Sequence, residues 1–212
     1  MGKEPMVEKQ WLEWARRLQA NSQNGLEYAA NPFDVERYEA VRRVAAEIMA
    51  AGADVDVEPV LNLFSQEAGY ATPKVDVRGV VFQDDAILLV KERVDNAWTL
   101  PGGWADPGLS PGENVVKEIF EESGYESRVV KLLAVYDRSR HPHQPPFPFH
   151  IYKFFFLCEI TGGQAGTSVE TADVGFFPEG GIPPLSITRL TPRQIARMFE
   201  LRRHPDWPPD CD

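Results

Sequence analysis

Apolar residues recur along this chain with two different periods, and the change of period divides it. Before about residue 70 the spacing is three and four. Trp11, Trp14, Ala15 and Leu18 fall on one helical face, and Tyr38, Val41, Ala45 and Ile48 repeat the pattern. The first helical segment is expected to open at Val7 and to be interrupted at Asn24-Gly25, a dipeptide that favours turns. Asn31 before Pro32 reads as the cap of a second helix, and Gly52 as its end. A short helix through Val60, Leu61 and Phe64 leads into a linker at residues 69–73. Two helices of this length cannot bury both their faces alone. The segment is therefore expected to pack on the rest of the chain or on a second copy, and a homodimer is the favoured expectation over a cap on its own subunit.

Past that linker the period shortens to two. VDVRGVVF, AILLVKE and WTLPGG read as strands, the first beginning near Val75. Residues 127–137, 150–160 and 174–177 continue the series, with residues 162–171 as a loop. Thr191-Pro192 opens a last helix that runs to about Arg203. One helical pattern, at residues 110–124, interrupts the strands. Strands, helix and more strands predict a mixed α/β sandwich over residues 71–212, preceded by a small all-helical region over residues 1–70.

Composition narrows the class without naming a function. The 212 residues are 43% hydrophobic and 11% aromatic, ample for a buried core. A formal charge of −10 disfavours attraction to nucleic acid or to an anionic membrane. Cys158 and Cys211 give neither a disulfide framework nor metal-ligand spacing, which fits a reducing cytoplasm. No leader and no run of about eighteen apolar residues suggests export or a bilayer, and Met6 is a candidate natural start.

The chemistry concentrates in WTLPGGWADPGLSPGENVVKEIFEESGY, residues 98–125. Ser110 as cap, Pro111 at the first helical position, Glu113 closing a capping box and Gly124 as stop bound one helix. Its Glu118, Glu121 and Glu122 stand three and four apart, beside an apolar arc of Val115, Val116, Ile119 and Phe120. Carboxylates crowded on one turn repel unless a cation is shared or some are protonated, and oxygen donors favour Mg²⁺ or Mn²⁺ over zinc. The Pro101-Gly102-Gly103 turn leaves backbone carbonyls able to join that ion, with Gly102 the candidate.

This stretch resembles the Nudix hydrolase box. Gly103, Glu118, Ile119, Glu121, Glu122, Gly124 and Tyr125 match its pattern, while Leu109 stands in place of a glutamate and Lys117 in place of an arginine. Lys117 can pair with Glu113 or Glu121, four residues away on either side. The resemblance implies a Nudix α/β/α sandwich with a mixed sheet, and a pyrophosphohydrolase in which Glu118, Glu121 and Glu122 hold the metal. Its wording is similar to the branch with a helical N-terminal region, which includes CDP-choline pyrophosphatases and acts on nucleoside diphosphates linked to a moiety X. That branch implies a nucleoside monophosphate and phospho-X as products, with CDP-choline ranked first and ADP-ribose second. Glu170, in the loop before the last strand, is the candidate base or further ligand, since that region supplies one in several relatives. Arg138 and Arg140 are candidate phosphate clamps. His141 and His143 read as loop residues or substrate contacts before zinc ligands, and Phe147 and Phe149 as core residues before base-stacking ones. A non-catalytic nucleotide sensor of the same fold is the alternative from another class. No DNA-binding motif or basic stripe accompanies it.

Overall fold

The computed structural model describes residues 10–212; Met6 and the expected helix start at Val7 lie outside them. The chain divides into two compact units, one of residues up to 73 together with 146–150, the other of 74–145 with 151–212. No helix among the described residues is long and apolar enough to cross a membrane.

The first unit holds α1 (Gln10–Tyr28), α2 (Pro32–Ala53) and α3 (Val57–Ser65). Asn31 caps α2 by accepting from the Asp34 amide, and Asp54 ends it in the left-handed conformation. The interruption expected at Asn24-Gly25 does not occur: α1 runs through it. A Cβ on Gly25 would lie 2.2 Å from the Tyr38 ring, and one on Gly52 2.2 Å from the Trp11 ring. Both glycines are thus sites of close helix-to-helix approach, where packing outweighs the cost of a helical glycine. Leu12, Ala15, Ala45, Ala46, Met49 and Phe64 form the core of this unit. Phe149 joins it, edge-on to Phe64 at 6.4 Å, as the core reading of that residue anticipated.

The second unit is a seven-stranded mixed sheet between two helices. Its strands are β1 (Lys74–Gln83), β2 (Ala86–Glu92), β3 (Trp98–Thr99), β4 (Tyr125–Asp137), β5 (Ile151–Gly163), β6 (Thr171–Pro178) and β7 (Asp210–Cys211). The order is β3-β2-β1-β5-β4-β7, with β6 on β2. β1 and β5 are parallel neighbours, and so are β4 and β7; the other pairs are antiparallel. Helix α4 (Pro111–Ser123) lays Val115 and Ile119 on Val77, Val81, Leu88 and Phe156. Helix α5 (Pro192–Arg203) covers the opposite face through Ile195, Met198, Phe199 and Leu201 against Val80, Leu89, Leu133 and Phe155. The result is the α/β/α sandwich with a helical N-terminal region that the sequence led us to expect. β5 and β6 both extend into the stretch read as a loop over residues 162–171.

Candidate active site

The site is built around a glycine turn laid against β1. The carbonyls of Pro101 and Gly103 accept from the amides of Gly79 (2.8 Å) and Val77 (2.9 Å), so the turn continues the sheet as an extra rung. Those bonds engage the carbonyls on either side of Gly102. Gly102 has φ +144°, and a Cβ there would stand 2.0 Å from the Val77 carbonyl oxygen, so only glycine fits. A Cβ on Gly103 would meet Glu118 Oε2 at 2.9 Å. The Gly102 amide donates to Glu122 Oε2 at 2.8 Å. Glu118 and Glu122, four residues apart on α4, therefore both lie against this turn.

Several bonds fix α4 in place. Ser110 accepts from the Glu113 amide (3.2 Å), and Glu113 Oε2 accepts from the Ser110 amide (2.8 Å). Asn114, buried, accepts from the Asp106 amide at 2.7 Å and donates to the Leu109 and Ser110 carbonyls at 3.3 and 3.2 Å. The Leu109 side chain is exposed, so its segment is held through the backbone by Asn114. Lys117 bonds Glu121 (2.9 Å) and Asp106 (3.2 Å), while Glu113 is committed to the cap. The acid arc is correspondingly split: Glu118 and Glu122 turn inward, and Glu121 is exposed beside Lys117. The apolar arc is narrower than expected as well, since Phe120 is exposed.

Burial raises the Glu122 carboxyl to about 8; the charges of Glu118 and Glu92 add to this, and Arg78 and the Gly102 amide oppose it. Glu118 is raised by burial too, with Glu121 and Glu170 as like-charged neighbours. Glu170 is exposed, and its loop is tied to α4 because Thr171 Oγ1 donates to the Glu122 carbonyl at 2.8 Å. Beneath the turn, Arg78 forks onto Asp76 (2.9 and 2.7 Å) and donates to the Leu100 carbonyl at 3.1 Å. Lys153, beside Asp76 in the β1–β5 register, bonds it at 2.6 Å. Burial would raise Asp76, yet Arg78 and Lys153 hold it at about 2; burial pulls Lys153 down to about 7. Asp76 thus stays ionised as the counter-charge of Arg78.

The donor set suits a hard divalent cation: carboxylate oxygens of Glu118 and Glu122 against the Gly102–Gly103 turn. Among the described residues, no group of three carboxylate, imidazole or thiol side chains is arranged to hold a metal ion. Glu121 is the box acid held furthest aside, by its pairing with Lys117.

The remaining candidates are scattered. Arg138 is buried, and its Nη2 donates to the carbonyls of Pro145 (2.9 Å) and Thr188 (3.2 Å), so it fastens loops and exposes little to a phosphate. Arg140, 3.9 Å from Asp137, lines a cavity of about 640 Å³ with His141, Arg193, Arg197 and Asp210, none of them on α4. His143 is buried with Nδ1 on the Ile187 carbonyl (3.0 Å), and burial lowers its pKa to about 3. The Phe147 carbonyl accepts from Arg16 Nε at 3.0 Å. Sequence reasoning passed over Arg78, Glu92 and Asn114. Asp76 and Arg78, alternating on one face of an otherwise apolar strand, were a usable signal for the first.

Fold and site together define a hydrolase-type sandwich with a capped glutamate helix against a glycine turn. The family model of the NUDIX domain matches residues 72–197, and the chain belongs to the Nudix family. Residues 9–64 match a family described as a UDP-X-like, N-terminal oligomerisation domain. A Bacillus subtilis (strain 168) protein, YjhB, provisionally named as an ADP-ribose pyrophosphatase, is 50% identical over 94% of this chain and 96% of its own length. The crystal structure of a UDP-X diphosphatase, 35% identical, covers 95% of this chain and 98% of its own with a TM-score of 0.62. That of an ADP-ribose pyrophosphatase from Streptococcus suis 89-1591, 38% identical, covers 66% and 100% with a TM-score of 0.60. The chain is accordingly a Nudix hydrolase of the pyrophosphatase kind.

Proposed function

We propose that this hydrolase cleaves the diphosphate bridge of a nucleoside diphosphate linked to a second group X, yielding a nucleoside monophosphate and phospho-X, with Mg²⁺ or Mn²⁺ as cofactor. The observation that carries the proposal is the placement of Glu122, buried, and Glu118, half-buried, against the Gly102–Gly103 turn. Burying like charges together is costly unless a cation shares them or one of them takes up a proton, as the raised Glu122 carboxyl does where no cation is bound. When bound, such a cation neutralises phosphate oxygens and activates water. In this reading Glu118 and Glu122 are ligands together with the Gly102 carbonyl, and Glu121 joins by exchanging Lys117. The Gly102 amide orients the Glu122 carboxylate by donating to its Oε2. In the same reading Glu170, exposed and close enough for its charge to act on Glu118, takes the proton from water.

The X group is a finer matter. The names of the relatives favour ADP-ribose and UDP-linked compounds, and place CDP-choline, first on the branch resemblance, behind them. The test is a panel of nucleoside diphosphates linked to ribose, sugars, choline and ethanolamine, assayed with Mg²⁺ and with products identified. Cleavage within the bridge is expected, ADP-ribose or a UDP-linked member fastest. Turnover of nucleoside triphosphates alone would reject the X-linked class, and tight binding without cleavage would favour a sensor.

We further propose a homodimer formed through the helical unit. Trp14, Tyr28, Phe33 and Val44 are exposed on α1 and α2, more large apolar surface than a solvent-facing helix pair needs. Sedimentation of the whole chain is expected to give twice the monomer mass; a monomer at micromolar concentration would reject the proposal.

A further inference from the structure

The carboxylates around the turn pose an electrostatic problem for an anionic substrate. Glu118, Glu122, Glu92 and Glu170 act on one another through their charges, and the arginine beneath them is already spent. Arg78 is buried, and its guanidinium is forked onto Asp76 and bonded to the Leu100 carbonyl. Arg138 is buried on loop carbonyls, and Arg140 belongs to the cavity beside α5. The partly exposed guanidinium of Arg189 pairs with this cluster from outside α4, whereas that of Arg93 donates to the Ser168 carbonyl. The Arg189 Nε lies 2.9 Å from Glu92 Oε1, with 28% of the side chain open to solvent. Its Nη1 faces Ser186 Oγ at 3.3 Å and Asp95 at 3.6 Å.

Arg189 is held by backbone as well as by charge. The segment before it runs along β3, where the Trp98 amide donates to the Pro184 carbonyl (3.0 Å) and the Ser186 amide to the Trp98 carbonyl (2.8 Å). The amides of Arg189 and Leu190 both return to the Ser186 carbonyl at 2.8 Å. Leu190 is fully buried, and Thr191 caps α5. Ser186 Oγ, bonded to Asp95 at 2.6 Å, completes the clamp. On its other side, Glu92 pairs in register with Thr171, whose hydroxyl bonds the Glu122 carbonyl. A continuous set of contacts thus ties the Arg189 fork, through Glu92 and Thr171, to the Glu122 end of α4. Acids hold its Nε and one Nη, and these fix its orientation, whereas Nη2 has no bond within the protein among the described residues.

We propose that Arg189 binds the diphosphate of the substrate, positioned by Glu92, Asp95 and Ser186, in the role for which Arg138 and Arg140 had been candidates. The proposal rests on the pyrophosphohydrolase reading and names the cation of the chain that meets the anion. A pre-oriented guanidinium loses little freedom when it engages two phosphate oxygens, and it offsets the repulsion of the exposed acids. It acts in binding, so its removal raises KM more than it lowers kcat.

Titration of the whole chain with methylenediphosphonate in Mg²⁺ reads diphosphate binding without turnover. Arg189→Met is expected to weaken it by about tenfold or more, as loss of a charge-assisted bond does, and Arg189→Lys to recover part of that loss. Arg203→Met, which removes an ion pair to Glu179 beside α5, is expected to leave it unchanged. In the panel assay KM should rise by a similar factor with kcat within about threefold of wild type. Wild-type affinity and KM in Arg189→Met would overturn the proposal. Should that variant not fold, Arg189→Lys decides: a drop of about threefold supports the proposal, and wild-type affinity refutes it. A wild-type protein that cleaves nothing would defeat the hydrolase reading, while the diphosphonate titration would still decide Arg189.

Discussion

A methyl group added at either of two adjacent glycines meets two different kinds of neighbour. At Gly102 it strikes the Val77 carbonyl, part of a β-strand that cannot yield, and the backbone sits at φ +144°. At Gly103 it meets the end of the Glu118 side chain, which can swing away. Gly102→Ala is expected to lose roughly 3 kcal/mol or more of stability. Gly103→Ala should melt close to wild type yet turn over at least about tenfold more slowly, because the displaced atom is a proposed ligand. Melting curves and initial rates on the same preparations check both; equal activity in Gly103→Ala would remove Glu118 from the chemistry. At this scale spacing alone brings Glu118 and Glu122 to one face, and that much was legible in the sequence. The surroundings of Glu121 and Arg138 were not. The first is drawn off by Lys117 and Asp106, and the second is buried against carbonyls from residues 145 and 188. Neither outcome is encoded within a few residues of the side chain concerned.

Elements were legible where their ends are written locally. Ser110, Thr191 and Asn31 each accept from the amide three residues on, as cap chemistry requires, and α4, α5 and α2 begin where those residues say. The break expected in α1 fails for the opposite reason. Asn24-Gly25 favours a turn in isolation, but the Tyr38 ring of α2 lies where a side chain at residue 25 would go, and the Ser22 hydroxyl donates to the Tyr38 carbonyl at 2.7 Å. Contact with another helix decides the matter, and a local reading contains no such partner. Strand pairing was hidden in the same way. β1 and β5 lie about 77 residues apart in sequence, and their parallel register is what brings Lys153 beside Asp76 and thereby anchors Arg78 under the turn. Arg189 is the extreme case: its position depends on β3, on the clamp at Ser186 and on the cap of α5 at once.

Across the whole molecule, a chain of formal charge −10 that places further acids around its candidate site must import positive charge to hold an anionic substrate. In this account the fold supplies a little of it through Arg189, and the proposed divalent cation supplies the rest. That dependence is the central claim, and it is tested most directly by the rate on the best member of the panel, using metal-stripped protein as Mg²⁺ is titrated in, with Glu122→Gln alongside. Gln keeps the shape of the side chain and can still accept from the Gly102 amide, so the fold should survive while cation binding is lost. The account predicts no turnover in chelator, recovery with Mg²⁺, and a rate about a hundredfold or more lower in Glu122→Gln at the same Mg²⁺ concentration. Full turnover in saturating chelator, or a wild-type rate in Glu122→Gln, would contradict it.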